Sequence, residues 1–283
     1  MSAISRVFHD PEAQRPVQPS EDVNPDLLHR VEEEGFCVLP SVIDRAEAAS
    51  AREASVAAAE RAAAGGYPIT WEDLDPNGRN VRVPDLLAYD PVFSQLVMHE
   101  QVTGYVAALL GHDWVVSNFS GNIALPGSGS MNAHSDQSTI MPEPWLEQNC
   151  LNAIWCLDDV DEGNGATRYL PGSHRFTRFS DVPADPKAGM RPFEASAGSV
   201  IIMHGRMWHT SGENTSADRE RCLLFALYAS GYLRLQANWW QIVPQDTLAV
   251  MSSELQERLG LRSPNRGYGA YLVRTAPQPK LGS

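Results

Sequence analysis

The chain has 283 residues, 43% of them apolar, which is enough for one sizeable core. Its 22 basic against 35 acidic residues leave a net charge of -13 at pH 7, a balance that opposes a polyphosphate partner and argues against nucleic acid. No basic-then-apolar leader opens it and no stretch approaches the roughly 18 unbroken apolar residues of a membrane span, so a cytoplasmic, soluble protein with no membrane partner is expected.

In chain order, residues 1–22 are polar and proline-bearing and read as a flexible arm, with a single domain expected over 23–283. The segment "NPDLLHRVEEEGFCVLPSVI" reads as a short helix, a glycine stop and an apolar strand. Asp44 and Glu47 have capping-box spacing ahead of an alanine-rich helix from Arg45 to Ala64, which Gly65 and Gly66 end. From Tyr67 to Tyr89 turn signals such as "DPNG" outweigh any periodicity. "DPVFSQLVMHEQVTGYVAALLG" starts with proline near the first helical position and keeps helical apolar spacing, so a helical flank is expected over about 25–110.

From Trp114 the pattern changes. Short runs rich in β-branched and aromatic residues, "WVVSNFSGNIAL", "NCLNAIWCLDDV", "GSVIIMHG" and "CLLFALYASGYLRLQ", alternate with glycine, proline, serine and aspartate clusters. They predict a mainly β core of sandwich or jelly-roll type over about 114–240. "PQDTLAVMSSELQERLGL" returns to helical spacing, giving a second helical flank over about 244–262 before a glycine- and proline-containing tail. Cys37, Cys150, Cys156 and Cys222 form no C-x-x-C pair and sit in apolar runs, as reduced core residues do.

Within "MNAHSDQS", His134 and Asp136 are two apart, so on a strand they share a face. One imidazole and one carboxylate are two thirds of the facial triad that holds Fe(II) and leaves coordination positions open. A hydrogen-bonded pair in a turn is the plainer reading of H-x-D alone. The third ligand would come from "GSVIIMHGRMWHTSGENTSADRER", which offers His204 and His209; five positions apart on a strand, they face opposite ways. Arg219 and Arg221 follow, and an arginine entering the interior there could grip a dicarboxylate bidentately.

The order H-x-D, "GNGATRYLPGSH", "WHTSGENTS" with a following arginine, and "GYLRLQAN" resembles the phytanoyl-CoA dioxygenase family of Fe(II)/2-oxoglutarate oxygenases over roughly residues 25–240. The resemblance implies a double-stranded β-helix, a cupin-like jelly roll of two sheets, with flanking helices on one outer face. It implies Fe(II) held by His134, Asp136 and His209, with 2-oxoglutarate and O2 as co-reactants and succinate and CO2 as products. The family's distal histidine follows a tryptophan-like position and precedes a G-x-N turn, which selects His209 over His204. Its arginine for the far carboxylate of 2-oxoglutarate lies eleven residues beyond that histidine, where this chain has Glu220; counting back from "GYLRLQAN" selects Arg221, with Arg219 as the rival. Thr167 matches a residue that hydrogen-bonds the cosubstrate, and Asn132 stands where many members have glutamine. Related halogenating enzymes replace the ligand carboxylate with a small residue, so Asp136 argues against halogenation. The expected activity is hydroxylation of an unactivated C–H bond in a small organic molecule, with a hydrophobic or polycyclic one favoured, in secondary metabolism; desaturation, epoxidation and rearrangement stay open.

Two other readings stand beside this one: a cupin-like metalloenzyme that needs no 2-oxoglutarate, and a catalytically silent binding protein on the same scaffold. "DDVDEGNG" misses the glycine and closing glutamate of a calcium loop and reads as a solvated hairpin. "PGSGS" lacks the G-K-[ST] of a phosphate loop. His174 reads as turn-stabilising, and His9, His29, His99 and His112 carry no ligand spacing. Tyr67, Trp71, Trp239 and Trp240 are candidates to wall a substrate cavity, though aromatic residues more often fill a core. Apolar residues on the terminal helix are compatible with a homodimer.

Overall fold

The computed structural model describes residues 23–71 and 77–262; the expected arm at 1–22, its His9, and the tail beyond 262 lie outside them. Helix α1 (Pro25–Glu34) starts where the Asn24 side chain accepts the N–H groups of Asp26 and Leu27, and it stops at Gly35, whose φ of 86° favours a residue without Cβ. Strand β1 (Phe36–Leu39) follows. Helix α2 (Arg45–Ala64) carries the reciprocal Asp44–Glu47 capping box and turns Ala48, Ala51, Ala58, Ala59 and Ala62 inward. β2 (Asn80–Val83) comes next. The expected helical block at 90–111 is two helices, α3 (Pro91–Val97) and α4 (Glu100–Leu110). His99 is extended between them (ψ 123°), and the break lets Phe93 and Leu96 on one helix and Val102 and Tyr105 on the other reach the same core.

A six-stranded antiparallel sheet has the order β1-β7-β4-β9-β3-β2, where β3 is Trp114–Ala124, β4 is Cys150–Cys156, β7 is Val200–His204 and β9 is Arg221–Ser230. A three-stranded sheet has the order β6-β5-β8, where β5 is Thr167–Tyr169, β6 is Arg191–Pro192 and β8 is His209–Ser211. Period-two alternation divides β4 and its neighbours between two cores. Leu151, Ala153, Trp155, Leu224, Ala226 and Tyr228 pack with the helices on the outer face. Ile154, Cys156, Ile201, Met203 and Leu223 pack inside with Phe193, with Tyr169 and Phe225 against them. This is the cupin-like jelly roll with helices on one outer side that the family pattern implies.

The chain then adds α5 (Trp239–Ile242), and the expected terminal helix is divided into α6 (Gln245–Val250) and α7 (Ser253–Arg258). The division has a local cause: the Ser252 hydroxyl accepts the N–H of Leu255 and starts a new helix. Met251, Leu255 and Leu259 turn into the core. All four cysteines are buried thiols, and burial pushes Cys37, Cys156 and Cys222 up to about 12. No helix among the described residues is long and apolar enough to cross a membrane.

Candidate active site

His134 and His209 face each other across an isolated antiparallel bridge: His134 N–H donates to the His209 carbonyl at 3.0 Å, and His209 N–H to that of His134 at 2.8 Å. Directly opposed residues put their side chains on one face, and the two imidazole centroids are 4.3 Å apart. Each ring is oriented by its own chain. His134 Nδ1 lies 3.1 Å from the Asn132 carbonyl and His209 Nδ1 lies 3.0 Å from that of Met207. A carbonyl accepts only, so each Nδ1 carries the proton and each Nε2 presents its lone pair to the interior.

The structure corrects the placement of His134 and Asp136 on one continuous strand. Extended pairing lasts for a single bridge at His134, and Asp136 opens a 3-10 turn through Thr139. Polar side chains hold this turn, one locally and one across the fold: Ser138 Oγ donates to the Ser135 carbonyl at 2.6 Å and Ser135 Oγ to the Gly205 carbonyl at 2.9 Å. Buried Gln137 ties the turn to the next segment, donating to the Glu147 carbonyl and accepting from Asn149 N–H. Asp136 still reaches the histidines, with Oδ1 4.0 Å from His209 Nε2 and Oδ2 accepting from Asn152 Nδ2 at 3.1 Å.

Donor atoms of His134, Asp136 and His209 all lie within 4.8 Å of one another. Burial, followed by the neighbouring His134, holds His209 below the usual histidine range against the opposing pull of Asp136. It is therefore neutral and ready to ligate. Two imidazole nitrogens and one carboxylate oxygen, each with its second polar atom engaged, suit a borderline cation such as Fe(II), and this donor set leaves further positions to other ligands.

His204, the other candidate, is elsewhere. Its Nδ1 accepts the N–H of Arg206 at 3.0 Å, its ring centroid lies 5.8 Å from that of His174, and burial drives it down to about 3. His174 links its turn to α1, its Nε2 lying 3.2 Å from the Glu32 carbonyl. The two arginines also part. Arg219 is exposed and paired with Asp161 at 2.5 Å. Arg221 is fully buried, its Nη1 donating to Asn122 Oδ1 at 2.9 Å, and among the described residues no carboxylate lies within 4 Å of it. Burial lowers it to about 10, so it is a cation at neutral pH.

A cavity of about 470 Å³, within the range of small-molecule sites, opens onto the His134, Asp136 and His209 cluster. Its lining includes His134, Asp136, His209, Thr167 and Asn122 together with Tyr67, Trp71 and Asp85. The Asn132 side chain is exposed, and its contribution is the backbone carbonyl that orients His134. Of the four aromatic candidates, Tyr67 and Trp71 wall the cavity. Trp239 is instead in the core, its indole N–H donating to the Val116 carbonyl, and Trp240 is 53% exposed away from the cavity. Sequence reading missed Asn152 and Asn122, although each is an amide inside an apolar strand, a signal that an inward-facing site needs hydrogen bonds there.

Comparison with known proteins identifies the family and the fold. The family model described as phytanoyl-CoA dioxygenase matches residues 31–222. Dioxygenase af480 of Aspergillus fumigatus is 38% identical over 272 residues, covering 92% of this chain and 87% of its own. Among solved structures, the non-heme alpha ketoglutarate dependent carbocyclase SnoK from nogalamycin biosynthesis shares the fold with a TM-score of 0.60 and 24% identity, over 76% of this chain and 87% of that one. HygX from Streptomyces hygroscopicus, solved with nickel and 2-oxoglutarate bound, gives 0.58 and 17% over 78% and 94%.

Proposed function

The chain belongs to the phytanoyl-CoA dioxygenase family, and from that premise we propose that it is a non-haem Fe(II)/2-oxoglutarate-dependent dioxygenase that hydroxylates an unactivated C–H bond of a small organic molecule. The observation that carries this reading is the convergence of His134, Asp136 and His209 beside one cavity, with Arg221 buried behind Asn122 and, among the described residues, not ion-paired, Asp158 acting on it only from a distance. A buried cation without a directly paired carboxylate is costly, and a bound dicarboxylate would relieve that cost. A metalloenzyme that binds no acidic cosubstrate has no use for it.

In this reading His134 Nε2, His209 Nε2 and Asp136 hold the metal, and Arg221 with Thr167 holds the distal carboxylate of 2-oxoglutarate. Bound there, ferrous iron supplies the coupling of O2 to oxidation of both partners: R–H, 2-oxoglutarate and O2 become R–OH, succinate and CO2. The protein's own contribution is placement. The opposed backbone pair keeps the two imidazoles at fixed separation, the carbonyls of Asn132 and Met207 hold their tautomers, and Tyr67 and Trp71 close apolar surface over the substrate side. A natural-product substrate fits a cavity of this size and mixed lining, and SnoK and HygX, which share the fold, work in nogalamycin biosynthesis and bind hygromycin B respectively.

Anaerobic addition of Fe(II) and then 2-oxoglutarate tests the reading. A weak visible charge-transfer band should develop with the purified protein and be absent in Asp136→Ala. No band in the wild-type protein would refute it.

A further inference from the structure

Asn152 lies on β4, the strand held on one side by β7 and on the other by β9; its register partners are Met203 and Leu227. It is 5% exposed and lines the cavity beside the three candidate ligands. Its Nδ2 donates to Asp136 Oδ2 at 3.1 Å, whereas its own Oδ1 is buried and has no hydrogen-bond partner among the described residues. The direction of the amide is not arbitrary. Turned over, it would set an amide oxygen against a carboxylate oxygen, so the carboxylate dictates that the N–H end faces Asp136. The fold therefore leaves one end of a buried amide unsatisfied in order to engage the carboxylate with the other.

The consequence is a division between the two oxygens of Asp136. Oδ2 is engaged by Asn152, and Oδ1 is the atom that faces His209 Nε2 at 4.0 Å. A carboxylate with both oxygens free can take up two positions on a metal; one whose second oxygen is drawn toward a hydrogen-bond donor is biased to offer the other atom alone. Cosubstrate chelation and oxygen together need three open positions, so each position that Asp136 leaves empty matters. We infer that Asn152 is a positioning residue that restricts Asp136 to single-oxygen ligation and thereby keeps the place where 2-oxoglutarate chelates open. This rests on the iron and 2-oxoglutarate reading above and adds a residue to which that reading assigns no role. Because Asn152 belongs to a central strand paired on both sides, its amide is held more rigidly than a loop residue's would be.

The test uses Asn152→Leu, similar in size but without a donor, and Asn152→Val should leucine not fold. Co(II) affinity is measured by titration, and 2-oxoglutarate affinity by the anaerobic charge-transfer band with Fe(II). The expected result is a metal affinity within about threefold of wild type and a 2-oxoglutarate affinity lowered about tenfold or more, the scale at which groups holding metal ligands act. Unchanged 2-oxoglutarate affinity would overturn the inference while leaving the proposed function intact. A loss of metal affinity as large as the loss of cosubstrate affinity would also overturn it, by making Asn152 a general support for Asp136. Absence of the band in the wild-type protein would instead remove the reading on which both stand.

Discussion

Replacing Arg221 with methionine should move stability and cosubstrate affinity in opposite directions. The guanidinium is fully buried, makes one strong protein hydrogen bond, to Asn122 Oδ1 at 2.9 Å, and leaves Nε without a partner among the described residues. Burial lowers it from its usual value to about 10, a displacement equivalent to about 3 kcal/mol held against folding. That penalty falls on the charged form, so it is present in full at pH 7 and fades only as pH rises past about 10. Methionine removes the charge and roughly fills its space, so the apo-protein should be no less stable than wild type and up to about 3 kcal/mol more stable in urea unfolding. Two charge-assisted hydrogen bonds to a carboxylate contribute about 3–5 kcal/mol together, so 2-oxoglutarate affinity should fall roughly 100- to 3000-fold. Arg221→Lys keeps the charge without the planar fork and should fall between. The assay is titration of the anaerobic charge-transfer band beside equilibrium unfolding of the same samples. A methionine variant that binds 2-oxoglutarate within threefold of wild type would refute the role of Arg221.

Four further outcomes follow from named contacts. His204 is driven by burial to about 3, below its unfolded range, so the unfolded chain alone takes up its proton between about pH 3 and 6.5; unfolding free energy should rise with pH there by about 1.4 kcal/mol per unit from this group, a slope that His204→Asn should reduce. Gly35→Ala should cost about 2–5 kcal/mol in urea unfolding, because φ is +86° and the new Cβ would strike Met207 Cε and lie 2.7 Å from the His174 ring. Trp71→Ala should raise the KM for the organic substrate and leave the charge-transfer titration unchanged, since Trp71 lines the cavity while its indole engages the Pro68 carbonyl and Arg82 rather than His134, Asp136 or His209. Stripping metal with a chelator should lower unfolding free energy by about 2.7 kcal/mol relative to protein at a hundredfold excess of metal over Kd.

The parts of this fold legible in the sequence are those written in local patterns. The Asp44–Glu47 box and the alanine run located α2 to the residue, because capping and helical period act within a few positions. Apolar runs bounded by turn-forming clusters located β4 and β9 for the same reason. His134 and Asp136 were found as a pair, yet the reason for their shared direction was misread: a single bridge followed by a serine-rich turn brings them together. That turn depends on Gly205 and Glu147, both outside the motif. The selection of His209 needed the ordered family pattern, since period alone separates His204 from His209 without saying which faces inward. Trp239 and Trp240 show the remaining gap, because whether an aromatic residue walls a cavity or fills a core is decided by its partners across the fold. Asn152 was passed over inside an apolar run, where its meaning appears only once Asp136 stands 3.1 Å away.

The account depends on three side chains sharing one cation, and anomalous diffraction from crystals grown anaerobically with Co(II) and 2-oxoglutarate tests this most directly. It predicts a single strong peak in contact with His134, Asp136 and His209, with the organic acid reaching from that peak toward Arg221. A peak bound by His204 or His174, or one that His209 does not touch, would contradict it.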